Sequence, residues 1–181
     1  MKVVLPVLLA LLFTASPVLA QQTDRDLGIS LYREGKFSEA IQLLEKSVAT
    51  QASDPAAWMF LGGAYVHTGE KEKAASAFGK SRGRPVVAQP KFQRTVGITH
   101  KPSAGYTEAA RRKMQSGSVR IAIELRADGT IGFVFALPTT LDRELISESL
   151  NAAKGMKFEP AIQNEKPVTV IKFAEYTFFT R

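Results

Sequence analysis

"WMFLGGAYVHTGEKEKAASAF", Trp58–Phe78, decides the first half of the fold, because the chain has already written it once. Leu27, Gly28, Gly35, Ala40 and Ser47 recur 34 residues later as Leu61, Gly62, Gly69, Ala74 and Ser81, and Leu31 and Leu44 return as Tyr65 and Phe78. A fixed period of that length marks a stacked array of helix–turn–helix units. Small residues at 28/62 and 40/74 let paired helices approach closely, and Gly35 and Gly69 fall in turns where a left-handed backbone costs glycine little. The pattern predicts helices near 23–34, 37–50, 55–67 and 71–81. Asp54-Pro55 opens the third, with aspartate as cap and proline in the first turn. About three such units are needed to close a continuous core, so the last helix is expected to lean on the C-terminal region or on a partner.

Downstream the period changes to two. "SVRIAIEL" places Val119, Ile121, Ile123 and Leu125 on one face and Ser118, Arg120, Ala122 and Glu124 on the other, the pattern of a half-buried strand. Asp128-Gly129 then signals a hairpin. "IGFVFAL" returns with Ile131, Phe133, Phe135 and Leu137 on one face. A short helix from Thr107 to Gln115 precedes the hairpin. A second follows it, burying Leu141, Leu145 and Leu150 and stopping at Gly155, and "PVTVIKFAEYTFF" closes the chain as a long strand. The order is helix, strand, strand, helix, strand.

Trp58, Leu61, Gly62, Tyr65, Ala74 and Phe78 resemble the tetratricopeptide repeat pattern, over two repeats. The later segment resembles the C-terminal domain of TonB-like energy transducers, from about Tyr106 to Phe178. The ordered set is Tyr106 with Ala109-Ala110-Arg111, Gly117-Ser118-Val119, Asp128-Gly129, Leu141-Asp142, and "MKFEPAIQNEKPV" from Met156 to Val168. In that last stretch Phe158 is expected to plug the core, Pro160 to break the chain, Asn164-Glu165 to turn it and Pro167 to start an edge strand. Thr107 stands where the family carries proline, and Met156 where it usually carries tryptophan. The expected fold is α+β: an N-terminal all-α tetratricopeptide pair followed by a small helix-strand-strand-helix-strand antiparallel domain. The expected divisions are 1–20 export signal, 21–84 repeats, 85–103 basic linker and 104–181 TonB-like domain.

The first twenty residues read as an export signal: Lys2, the apolar run "VVLPVLLALLF", and a cleavage site ending Val18-Leu19-Ala20. That run is shorter than the roughly 20 residues needed to span a bilayer as a helix. The mature chain is therefore expected in the periplasm, with no membrane span. There is no cysteine, so stability must come from an apolar core, without disulfides or lipidation at cysteine. Net charge is +7, and Lys80, Arg82, Arg84, Lys91, Arg94 and Lys101 stand in a stretch with no acidic residue. Such a stretch reads as a solvated linker or as a contact for cell-wall polymer or anionic lipid; export argues against nucleic acid.

Catalysis has little to stand on. The histidines, His67 and His100, lie in different segments, and no Ser-His-Asp set, metal-ligand pair or phosphate loop occurs. No catalytic residue, cofactor or metal site is expected. Nor is energy transduction, which in the family needs an inner-membrane helix and a long arm. What the resemblances imply is an adaptor with two protein-binding surfaces for envelope proteins or peptides, among them segments of outer-membrane receptors. One is an edge strand accepting a partner strand, through Val168, Val170, Lys172, Ala174 and Tyr176. The other is a repeat groove presenting Arg25, Ile29, Tyr32, Arg33, Met59, Gly63, Val66 and His67. The alternative is a structural envelope protein whose basic linker holds polymer or lipid.

Overall fold

The computed structural model describes residues 17–82 and 92–180. The greater part of the expected export signal and the centre of the basic stretch, with Arg84 and Lys91, lie outside the described residues. Four helices come first: α1 (Pro17–Arg33), α2 (Phe37–Thr50), α3 (Pro55–Thr68) and α4 (Lys71–Lys80). Asp54 caps α3 as its sequence predicts, accepting from the amides of Ala56 at 2.9 Å and Ala57 at 3.3 Å. Gly62 is small for a packing reason: a Cβ there would sit 2.7 Å from the Phe78 ring. Among the described residues no helix is long and apolar enough to cross a membrane.

The C-terminal domain contains β1 (Gly97–His100), α5 (Glu108–Arg112), β2 (Gly117–Leu125), β3 (Ile131–Ala136), α6 (Arg143–Lys154), β4 (Lys157–Glu159), β5 (Ala161–Gln163), β6 (Lys166–Val168) and β7 (Val170–Phe178). Its sheet runs in the order β3-β2-β7, with antiparallel neighbours. Two smaller ribbons, β1-β4 and β5-β6, flank it. Residues 92–100, expected in the linker, are tied to this domain instead. β1 pairs with β4, and Arg94 bridges Ile162. Alternation in this short polar run was too weak to announce a strand.

The expected closing strand is also divided. Val168 belongs to the β5-β6 hairpin, opposite Ala161, and only Val170 onward joins β2. Thr169 is the break: its carbonyl accepts from Arg33 Nε at 3.3 Å and its hydroxyl from the Ala127 amide at 3.3 Å. The β5-β6 turn is Asn164-Glu165, both at positive φ, 51° and 62°. A two-residue turn of this kind suits the twist of its strands, but its left-handed backbone brings a Cβ close to the following carbonyl, a cost that glycine escapes and asparagine offsets by local hydrogen bonding. Glu165→Gly should therefore raise stability by up to about 1 kcal/mol, read from urea midpoints at unchanged slope. A loss would show that the Glu165 side chain contributes more than its backbone strain costs.

The sheet is a filling between two helical layers. On one face Val119, Ile121, Ile123 and Leu125 meet Leu141, Leu145, Ala152 and Ala153 beneath α6. On the other, Ala122, Phe133, Phe135, Leu137, Ile171 and Phe173 pack onto the repeats. β2 is thus buried on both faces rather than one. β3 departs from simple alternation as well: a register shift between Ile123 and Leu125 puts Ile131 on the α6 side, apart from Phe133 and Phe135. The last repeat helix leans on this sheet. Phe78, fully buried, meets Phe133, Phe135 and Phe173 at ring separations of 6.3, 5.7 and 5.9 Å.

Candidate protein-binding surfaces

The face of the repeats expected to be an open groove is filled by the chain's own sheet. Ile29 and Tyr32 lie in the shared core, with Met59 and Val66 packed against it. Gly63 marks the closest approach, where a Cβ would fall 2.5 Å from Ile171 Cδ1. Arg33 reaches across to the Thr169 carbonyl and, at 3.1 Å, to Gln163 Oε1. Arg25 is not part of this face. It is buried near the start of α3, with Asp54 at 3.5 Å and Asp26 at 2.7 Å. The expectation of a free peptide groove is therefore corrected: two repeats leave apolar surface uncovered, and the sheet covers it at no cost in translational entropy.

At the centre of this contact is Glu124, from β2, 3% exposed. Its carboxylate accepts from the Tyr32 hydroxyl, faces His67 Nε2 at 3.1 Å and accepts from Arg126 Nε at 3.1 Å. Burial alone would raise its pKa, but the bonds from His67 and Tyr32 hold it below the usual carboxylate range. Burial, with the Glu124 charge adding to it, pushes the Tyr32 hydroxyl far above its ordinary value. His67 stacks on Phe37 with centroids 3.8 Å apart, and its edge meets Phe133. Room for the carboxylate comes from Gly132, where a Cβ would lie 1.6 Å from Glu124 Oε2.

The second surface, the rim of β7, is present but in the opposite alternation from that expected. Arg120, opposite Glu175, spends its carbonyl on the Leu137 amide, away from β7. The pair Arg120–Glu175 is thus a non-hydrogen-bonded one, and the β7 groups that bond β2 belong to Val170, Lys172, Ala174, Tyr176 and Phe178. Backbone groups directed outward belong to Ile171, Phe173, Glu175 and Thr177. Among the expected edge residues, Val170, Ala174 and Tyr176 also bury their side chains in the α6 core, leaving Lys172 exposed. β7 is the outermost strand of its sheet, and among the described residues no strand pairs with that rim. One side chain does reach it: Lys101 Nζ donates to the Glu175 carbonyl at 2.8 Å and lies 4.6 Å from the Tyr176 ring centre.

Two of these participants, Glu124 and Lys101, were not singled out for their roles by sequence reasoning, and Glu175 was read only as a polar interruption of the edge. A signal existed for the first. "IGFVFAL" is an almost unbroken apolar run, the mark of a strand covered on both faces, so its neighbour β2 would also have its polar side enclosed.

Residues 25–85 match the family model of the tetratricopeptide repeat, and residues 102–178 match that of the Gram-negative bacterial TonB protein C-terminal region. Among solved structures, the solution NMR structure of the Pseudomonas aeruginosa TonB CTD is similar over 46% of this chain and 84% of that chain, at 20% identity and a TM-score of 0.39. No curated protein matches. The two family matches point to protein–protein interaction in the cell envelope.

Proposed function

We propose that this chain, a tetratricopeptide region joined to a TonB C-terminal domain, is a periplasmic adaptor that binds an extended segment of an envelope protein by strand addition to β7. The observation that supports this reading is the unpaired outer rim of the sheet, from Ile171 to Thr177. Its amides and carbonyls supply affinity by backbone pairing, and the neighbouring side chains supply selectivity. The repeats serve in this reading as a brace. They cover the aromatic face of the sheet and hold β7 in place while its rim stays accessible. The protein is proposed as a binding module, neither an enzyme nor an energy transducer.

A proline at position 175 separates this reading from others. The Glu175 amide points away from β2, so Glu175→Pro removes a donor that only an added strand would use. The variant should keep its fold, with circular dichroism unchanged and stability within about 1–2 kcal/mol of the parent. A photo-crosslinker at Thr177, exposed beside that amide, should capture an envelope protein in the periplasm of cells carrying the parent. Capture should fall about tenfold with Glu175→Pro. Equal capture from both would show that partners do not pair with this strand.

A further inference from the structure

The rim of β7 is flanked by cations that lack carboxylate partners. Lys101 and Lys172 take part in no ion pair among the described residues, whereas Arg94, Arg111, Lys113 and Arg126 each face a carboxylate. Lys101 has turned inward to the strand instead. Its ammonium occupies the place at the Glu175 carbonyl that an arriving amide would take, and lies over the Tyr176 ring. Two contacts bring this segment beside β7: the Lys101 ammonium at Tyr176, and Tyr106 at Phe178 with ring centres 5.9 Å apart. Any strand that pairs with Glu175 must lift this ammonium off the carbonyl and leave it beside the newcomer's side chains.

We infer that the segment accepted by β7 is acidic, and that Lys101 is the residue that both closes the rim and selects its occupant. This rests on the strand-addition reading above. A carboxylate on the incoming strand gives the displaced Lys101 ammonium a better acceptor than the carbonyl it loses, since a charged bond is stronger than one to a neutral oxygen. A neutral strand must open the same contact without that return, and a basic strand adds repulsion from Lys101 and Lys172. Glu175, the exposed acid of the rim, faces the repeat side, whereas Lys172 and the Lys101-covered Tyr176 share the α6 side. The acidic side chains are therefore those pointing toward α6, every second residue of the partner.

The test uses the full chain and three fluorescein-labelled nine-residue peptides with the same Val/Thr alternation. They carry glutamate, glutamine or lysine at the positions on one face, and binding is read by fluorescence anisotropy at low and physiological salt. The glutamate peptide should bind about tenfold tighter than the glutamine peptide, with the lysine peptide weaker still and the spread shrinking as salt rises. Lys101→Ala should tighten the glutamine peptide severalfold, by removing the cap, and erase most of the preference for glutamate. Equal binding of all three peptides leaves strand addition standing and overturns the acidic selection. Preference that survives Lys101→Ala overturns the part assigned to Lys101. If none of the three binds, the strand-addition reading fails, and this inference with it.

Discussion

Replacing Glu124 with alanine is expected to lower the free energy of unfolding by about 3–5 kcal/mol, since it strands the groups that a buried charge had been satisfying. The Tyr32 hydroxyl and His67 would keep their burial and lose their acceptor, and Arg126 would lose its ion-pair partner. Glu124→Gln, which keeps the shape and one oxygen, should cost less than half as much. Tyr32→Phe should be coupled to Glu124→Gln rather than additive with it, because the two share one bond. The folded carboxylate is held below its ordinary value of 4.5, so its contribution is complete above that pH and fades as the medium is acidified through the lower folded value. Urea midpoints of the parent should therefore fall more steeply below about pH 4.5 than those of Glu124→Gln. Parallel pH curves for the two proteins would show that Glu124 does not carry the contact.

The repeats were legible because helix packing imposes identity on a period: Gly62 cannot grow without striking Phe78, and Gly28 cannot grow without striking Leu44 at 2.9 Å. The hairpin and α6 were equally plain from alternation and from Gly155. Harder to see was which face of the sheet the chain would cover. A strand such as β2 reads as half-buried when Arg120 and Glu124 share a face, yet Glu124 is enclosed because its charge finds Tyr32, His67 and Arg126, residues 92, 57 and 2 positions away. No local pattern encodes partners at the two larger separations. The same limit explains the inverted alternation on β7. A strand's period separates its two faces, but which backbone groups turn outward depends on pairing with β2, and that register is set by the fold as a whole. Lys101 is the clearest case. Its place in the sequence is that of a solvated linker residue, and only the tie between β1 and β4 brings it to the rim.

Phe78→Ala should be as damaging at the boundary of the two regions as Glu124→Ala, costing about 3–5 kcal/mol. The ring is fully buried, fills the space left by Gly62, and touches phenylalanines from both β3 and β7. Its loss opens a cavity that the sheet cannot close without sliding off Gly63 and Ile171, which are already in contact. The size of the effect is less telling than where it is felt. If the repeats and the sheet share one core, the weakening must reach both, although the substitution lies in α4. Trp58, the single tryptophan, reports on the repeats by fluorescence, and amide exchange along β2 reports on the sheet. Both transitions should move together to lower urea, and the parent should unfold in a single step. A variant whose Trp58 transition shifts while β2 amides keep their protection would mean that the repeats unfold alone, and that the β7 rim is held in place by α6 without them.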